Sequence, residues 1–173
     1  MIFEIDRHTV TEGDVIRCTA CGYEQVGDAY GFLHNRKGLG RELRYVSDWS
    51  RHIYERLRKR VLEGAEQGLS SPVAIQMVDQ TKNKFVPVGD GVLTLDREHF
   101  TIAGTVKGEP VDLSVSIANT PTLPFSPGKH LEVQSGGDIY RCVPQEKRLV
   151  MKFINLVKIF HEMSCTAELS TCR

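Results

Sequence analysis

Cys18 and Cys21 stand two residues apart in Cys18-Thr19-Ala20-Cys21-Gly22. At that spacing two thiolates can meet one tetrahedral zinc ion while the following glycine lets the chain fold back. A complete four-thiolate ribbon needs a second pair, and none is present: the 17 residues before Cys18 hold no cysteine, and Cys165 and Cys172 are separated by six residues. The motif therefore reads as half of a zinc ribbon, with zinc a cofactor only if a further cysteine pair lies upstream of Met1. Two other readings stand beside it. One is a pair of thiols with no ligand. The other is a redox couple, which wants a strand before the motif and a helix after it, whereas Gly22-Tyr23-Glu24-Gln25 follow here.

Other chemistry is harder to assemble. His8, His34, His52, His99, His130 and His161 are scattered, with no pair at the helical spacing of a metalloenzyme site, and read as ordinary surface or core histidines. There is no glycine-rich phosphate loop ending in Lys-Ser or Lys-Thr, and no Gly-x-Ser-x-Gly elbow. Asp90, between Gly89 and Gly91, and Asp138, after Gly136-Gly137, read as turn residues and not as general bases. No catalytic residue is assigned.

Charge is balanced at 22 basic against 22 acidic residues, so no global field draws in nucleic acid, and none is expected as a partner. Locally the balance breaks. Residues 1–35 carry −4, whereas 36–60 carry +6 through Arg36, Lys37, Arg41, Arg44, Arg51, Arg56, Arg58, Lys59 and Arg60. Such a stretch is a solvated helix face with a basic loop, or a binding patch for anionic lipid headgroups or an acidic neighbouring domain. The odd number of cysteines, five, argues against a disulfide framework. No apolar run reaches membrane-spanning length, and no basic-then-apolar leader follows Met1, so the expected compartment is the cytoplasm, with a peripheral membrane position open.

The elements that must position these residues follow from periodicity. Residues 2–10 and 14–18 alternate around Gly13 as a hairpin, and 26–45 reads as loop with one short strand near Tyr30–Leu33. Trp49, Ile53, Leu57 and Val61 recur every four residues as the core stripe of a helix, with Ser47 as N-cap, Asp48 in the first turn and Gly64 or Gly68 as the stop. Gly68-Leu69-Ser70-Ser71-Pro72 marks a boundary. Strands are expected at Val73–Val78, Phe85–Leu95, Phe100–Val106, Val111–Ile117, His130–Gln134 and Asp138–Val143, interrupted by an ordered loop around Pro121, Pro124 and Pro127. Pro144 opens a final helix whose apolar face runs from Leu149 through Phe153 and Val157 to Phe160 and Met163. The segment 165–173 reads as a frayed tail.

With the Cys18–Gly22 knuckle, Tyr30-Gly31-Phe32-Leu33, Trp49 in a helix, Phe100-Thr101-Ile102, Thr122-Leu123-Pro124-Phe125-Ser126-Pro127-Gly128 and Ile139-Tyr140-Arg141-Cys142 in view, residues 14–163 resemble a known region. It is the C-terminal part found in some bacterial 1-acyl-glycerol-3-phosphate acyltransferases (lysophospholipid acyltransferases), where a zinc-ribbon segment and a pleckstrin-homology or GRAM-like barrel follow the catalytic domain. The resemblance implies Cys18 and Cys21 as the second pair of zinc ligands. The catalytic signature of that family, a His and an Asp with four residues between, is absent: Gly13, Leu39, Leu57, Gly104, Ser135 and Thr166 stand at the fifth place after the six histidines.

The expectation is therefore an α+β chain. Residues 1–70 form a partial knuckle and an amphipathic helix, and 71–164 an antiparallel pleckstrin-homology-like barrel whose C-terminal helix plugs a cup of curved sheet. Its expected role is non-catalytic: docking a phospholipid-synthesis acyltransferase to an anionic membrane surface or to its adjoining catalytic domain. The alternatives are a protein-interaction module using the proline-rich loop 120–128 or an exposed strand edge, and a small enzyme whose site forms only in three dimensions.

Overall fold

A computed structural model describes residues 9–19, 22–38 and 43–171. The chain divides into two compact units, residues 1–66 and 67–173.

The first unit is a four-stranded antiparallel meander, β1 (Thr9–Glu12), β2 (Val15–Cys18), β3 (Glu24–Gly27) and β4 (Leu33–Asn35), followed by α1 (Val46–Leu62). Gly13 turns the first hairpin at φ 57°, while residues 1–8 lie outside the described part. The segment read as loop between 26 and 45 starts as strand β3. Its lone apolar side chain, Val26, shows no alternation, and its order comes from tertiary bonds: fully buried Gln25 donates through Nε2 to the Leu43 carbonyl at 2.7 Å. Helix α1 starts earlier than the Ser47 cap predicts. Tyr45 is the N-cap, and its N–H donates to Asp48 Oδ2 at 3.1 Å, so Asp48 supplies the acceptor half of a capping arrangement. The helix ends as a Schellman motif, with Gly64 at φ 75°, its N–H on Val61 O and the Ala65 N–H on Arg60 O. Trp49, Leu57 and Val61 are buried. Trp49 joins Cys18, Tyr23 and Leu43 in a small core, its ring 5.6 Å from that of Tyr23.

The second unit is one antiparallel sheet of seven strands with a long C-terminal helix. Its strands are β5 (Leu69–Asp79), β6 (Lys84–Leu95), β7 (His99–Val106), β8 (Glu109–Ser116), β9 (Phe125–Ser126), β10 (His130–Ser135) and β11 (Asp138–Pro144), in the order β8-β7-β6-β5-β11-β10-β9. The first strand thus lies beside the last, with Val73 opposite Pro144. The strands sit where the alternation puts them, and tight turns join them: Lys107 and Gly108 at φ 53° and 86°, Gly136 and Gly137 at 60° and 88°. Asp96 Oδ1 accepts from the Glu98 and His99 N–H groups at 2.8 and 2.7 Å and so holds the β6–β7 turn.

Two prolines depart from expectation. Pro72 is inside β5 and not at a boundary. It lies one residue beyond the last β11 pairing, so its missing N–H removes no ladder bond, and its carbonyl accepts from Gln145 N–H at 3.0 Å. Pro144 ends β11 and does not open a helix, which starts at Leu149. Asp90 is likewise no turn residue. It faces Thr105 in the middle of β6, and Gly91 faces Gly104 on β7. These glycines exist for close approach: a Cβ on Gly91 would lie 2.7 Å from Ala103 O, and one on Gly104 2.5 Å from Gly91 Cα. A bulge between Ile75 and Gln76 of β5 adds to the bend nearby.

Bending brings one face of the sheet around a common interior of Val73, Ile75, Leu93, Leu95, Phe100, Ile102, Leu131, Val133 and Cys142, all buried. Helix α2 (Leu149–Thr171) fills it with Val150, Phe153, Ile154, Leu156, Val157, Ile159 and Phe160, and Phe153 meets Phe100 edge to face at 6.2 Å. Burying that many large side chains at about 1.5–3 kcal/mol each contributes on the order of 10 kcal/mol before ordering entropy. The expected antiparallel sheet capped by its C-terminal helix is present, with one correction: hydrogen bonds do not close it into a barrel, and β8 and β9 remain as edges. The helix also continues past the frayed end predicted after Met163. Ser164 Oγ and Thr166 Oγ1 donate to Phe160 O and Glu162 O, one turn back, which lets these polar residues stay helical without an apolar repeat. Among the described residues no helix is long and apolar enough to cross a membrane.

Candidate functional site

Cys18 ends β2 at the turn into β3. Its N–H donates to Tyr23 O at 2.8 Å, and Gly22, at φ 71°, donates to Cys18 O at 2.9 Å. The side chain is 1% exposed and sits among Tyr23, Leu43 and Trp49, the setting of a small core hydrophobe. Cys21, the other predicted zinc ligand, lies outside the described residues. Among the described residues, no group of three or more His, Cys, Asp or Glu side chains is placed to hold a metal ion.

The basic stretch is dispersed by its own unit. Glu24, largely buried, takes both Arg36 Nη1 at 3.2 Å and Lys37 Nζ at 3.4 Å. Arg60 meets buried Glu66 at 3.3 Å, Arg51 meets Asp48 at 3.9 Å, and Lys59 meets Glu63 at 3.6 Å. The Arg44 guanidinium lies over the rings of Phe32 and Tyr45, 5.1 and 5.9 Å from their centroids. Arg56 is half-buried and Arg58 exposed on α1, and Arg41 is outside the described residues. Five of the nine basic residues, Arg36, Lys37, Arg51, Lys59 and Arg60, thus have carboxylate partners, three of which, Glu24, Glu63 and Glu66, lie outside the stretch 36–60.

A recess opens instead at the seam between the two sheet edges. After β8 the chain makes one 3₁₀ turn (Ile117–Asn119), anchored by Ile117 N–H on Glu98 O and by Thr120 Oγ1 on Ser116 O. It then runs through the proline-rich loop to the two-residue edge strand β9, tied to β10 by Glu132 N–H on Pro124 O at 2.8 Å. Prolines at 121, 124 and 127 are compatible with this position because an edge strand has ladder partners on one side only. Between the loop and the β10–β11 hairpin lies a groove of about 240 Å³, walled by Val115, Leu123, Pro124, Val133 and Ile139 with Thr120, Thr122, Glu132 and Gln134 as its polar groups. Ile139 is 39% exposed, and Phe125, in the adjoining edge strand, 40%.

One wall is electrostatically braced. Glu132 and Arg141 face each other across β10 and β11, and Arg141 donates through Nε and Nη2 to Glu132 Oε1 at 2.9 and 2.7 Å. The guanidinium also lies 3.4 Å from the Phe85 ring centroid. His130 Nε2 is 3.5 Å from the same Glu132 oxygen. Desolvation, reinforced by the Arg141 charge, holds the His130 imidazole below its usual titration range.

Sequence reasoning singled out the proline-rich loop as a candidate interaction element but not the partners across the seam. Val115, Glu132, Val133 and Ile139 come from strands whose alternation reports only which face they occupy. Which edge the loop crosses depends on strand order.

No protein-family model matches the chain, and no curated protein does. Among solved structures, the Ran-binding domain of the nuclear complex component Nup2 from Ashbya gossypii is similar over 56% of this chain and 94% of that one, at 11% identity and a TM-score of 0.40.

Proposed function

We propose that residues 67–173 form a non-catalytic docking module that holds an extended segment of a protein partner in the groove at the open seam. The observation that carries this reading is the placement of space. The interior of the sheet is filled by α2, whereas the recess at the seam is apolar, shallow and bordered by exposed Phe125 and Ile139. At about 240 Å³ it is smaller than the ~300–1,000 Å³ typical of pockets that enclose a small-molecule substrate, and suits one or two anchoring side chains of a peptide. The neighbouring β8 and β9 edges offer main-chain groups to such a segment, as in strand-addition recognition. The motif resemblance to lysophospholipid acyltransferases suggests the first partner to try, a catalytic domain of that class. Dispersal of the basic stretch among Glu24, Asp48, Glu63 and Glu66 favours a protein partner over an anionic membrane.

The test is selection of binding peptides from a random extended library against the full chain, followed by titration against wild type, Ile139→Lys and Thr122→Arg. Both substitutions are at partly or fully exposed positions on the groove. Peptide binding that falls at least about tenfold in both variants supports the reading, a loss of about 1.4 kcal/mol. Binding indifferent to both variants, or flotation of the chain with anionic vesicles at low salt in the absence of any peptide ligand, overturns it.

A further inference from the structure

We infer that Cys165 and His161 form a thiol–imidazole pair that makes Cys165 a site of reversible modification by small disulfides. The two residues are four apart on α2 and so share a face, with Cys165 Sγ 3.6 Å from His161 Nε2. The imidazole is held from its other side by a different element: Nδ1 lies 2.9 Å from the carbonyl oxygen of Ile117, the first residue of the 3₁₀ turn. A carbonyl can only accept, so Nδ1 carries the proton, and in the neutral ring Nε2 is then an acceptor directed at the thiol. A nucleophile, a base within reach of it and a third group that orients the base make up the minimal activated-nucleophile arrangement. An accidental pair on a helix surface would leave the ring free to rotate. Here the Ile117 bond sets both its tautomer and its direction. Access completes the argument, because Cys165 is exposed while Cys18 and Cys142 are buried.

The chemistry is thiol–disulfide exchange. As Sγ of Cys165 bonds to one sulfur of the small disulfide, His161 Nε2 takes the thiol proton and the disulfide's own S–S bond breaks. The departing sulfur leaves with the electron pair as a thiolate and recovers the proton from the imidazolium. The products are a mixed disulfide on Cys165 and one free small thiol, and excess thiol reverses the step. The co-reactant is recognised by its disulfide, which reaches Sγ because Cys165 is exposed.

Oxidised glutathione is the probe, and peptide-mapping mass spectrometry of the full chain reads which cysteine is capped and how fast. His161→Asn is the informative variant. The Asn side-chain N–H₂ can keep the bond to Ile117 O while the base is removed, so folding is preserved and the proton acceptor is lost. His161→Gln and Cys165→Ser complete the set. The expected result is that Cys165 is capped ahead of the buried cysteines and that His161→Asn slows its capping about tenfold. That is less than the ~10²–10⁴ of an enclosed general base, because water competes at an exposed site. The inference is overturned if Cys165 reacts at the same rate in wild type and His161→Asn, or no faster in the folded chain than in urea.

Discussion

Replacing Gly104 by alanine tests the claim that the second unit is bent by glycine-to-glycine contact across β6 and β7. The new Cβ would fall 2.5 Å from Gly91 Cα and 3.1 Å from the Asp90 carbonyl carbon, and closer still to the Asp90 oxygen. All three are backbone atoms, so no side chain can rotate away, and β6 and β7 must separate locally. Overpacking of this kind costs about 1–3 kcal/mol, and the rigid neighbours place Gly104 near the upper end. Alanine returns about 0.4–1 kcal/mol by restricting the unfolded chain. The net loss is about 2 kcal/mol, which for a unit of this size lowers the midpoint of thermal unfolding by about 10 °C. Circular dichroism reads the transition. Fluorescence of Trp49, the single tryptophan, reports separately on the first unit. Gly91→Ala should be destabilising for the same reason, and the double variant should cost less than the sum, because strands already forced apart accept the second methyl more easily. A Gly104→Ala protein that melts within about 2 °C of wild type would refute the reasoning.

Three further outcomes are expected. Asp96 is held below its ordinary value of 3.8 chiefly by the His99 N–H and also by the Glu98 N–H. Its contribution is therefore complete above the unfolded-state value and disappears as pH falls through the folded one, so Asp96→Asn should flatten the stability–pH curve below about pH 4 in acid titrations followed by circular dichroism. Burial pushes the Cys142 thiol up to about 12, so at pH 8 alkylation should leave Cys142 untouched in the native protein and label it at the unfolding rate in intermediate urea, as read by mass spectrometry. Phe153→Ala, at a fully buried position against Phe100, should cost about 3–5 kcal/mol and leave the second unit largely unfolded near 37 °C, visible as lost amide-exchange protection in β5 and β7.

The second unit is nearly legible from residue order alone, and the reason is physical. Strands β5, β6 and β7 bury alternate side chains over part of their length, β8 alternates exposed with half-buried ones, and the glycines that close the hairpins, Gly108, Gly136 and Gly137, adopt the positive φ that their type permits. Misreadings cluster where a residue serves a neighbour distant in sequence. Gly89 and Gly91 read as a turn because chain-local rules cannot distinguish a glycine that permits a left-handed bend from one that admits an adjacent backbone. Pro144 reads as a helix start because only pairing with Val73 reveals it as strand. Strand β3 escaped notice because Gln25 is ordered by Leu43, eighteen residues on. The candidate groove was visible only as its proline-rich wall. The charge run at 36–60 is conspicuous in the sequence, yet its acidic partners Glu24 and Glu66 lie outside that run.

Because β5 pairs with β11, the first strand of the second unit to be synthesised sits in the middle of the finished sheet, and its second neighbour is the last strand to be made. A nascent chain leaving the ribosome therefore carries the inner edge of β5, with Val73 and Ile75, unpaired until residues 138–144 have emerged. Hairpins β6–β7 and β10–β11 can form as they appear, but closure waits for this long-range pairing and for the helix behind it. During that interval the bare edge could recruit another copy of the same segment. Assembly of the unit should thus wait for β11 and α2, and any truncation ahead of β11 should produce aggregates in place of a smaller fold.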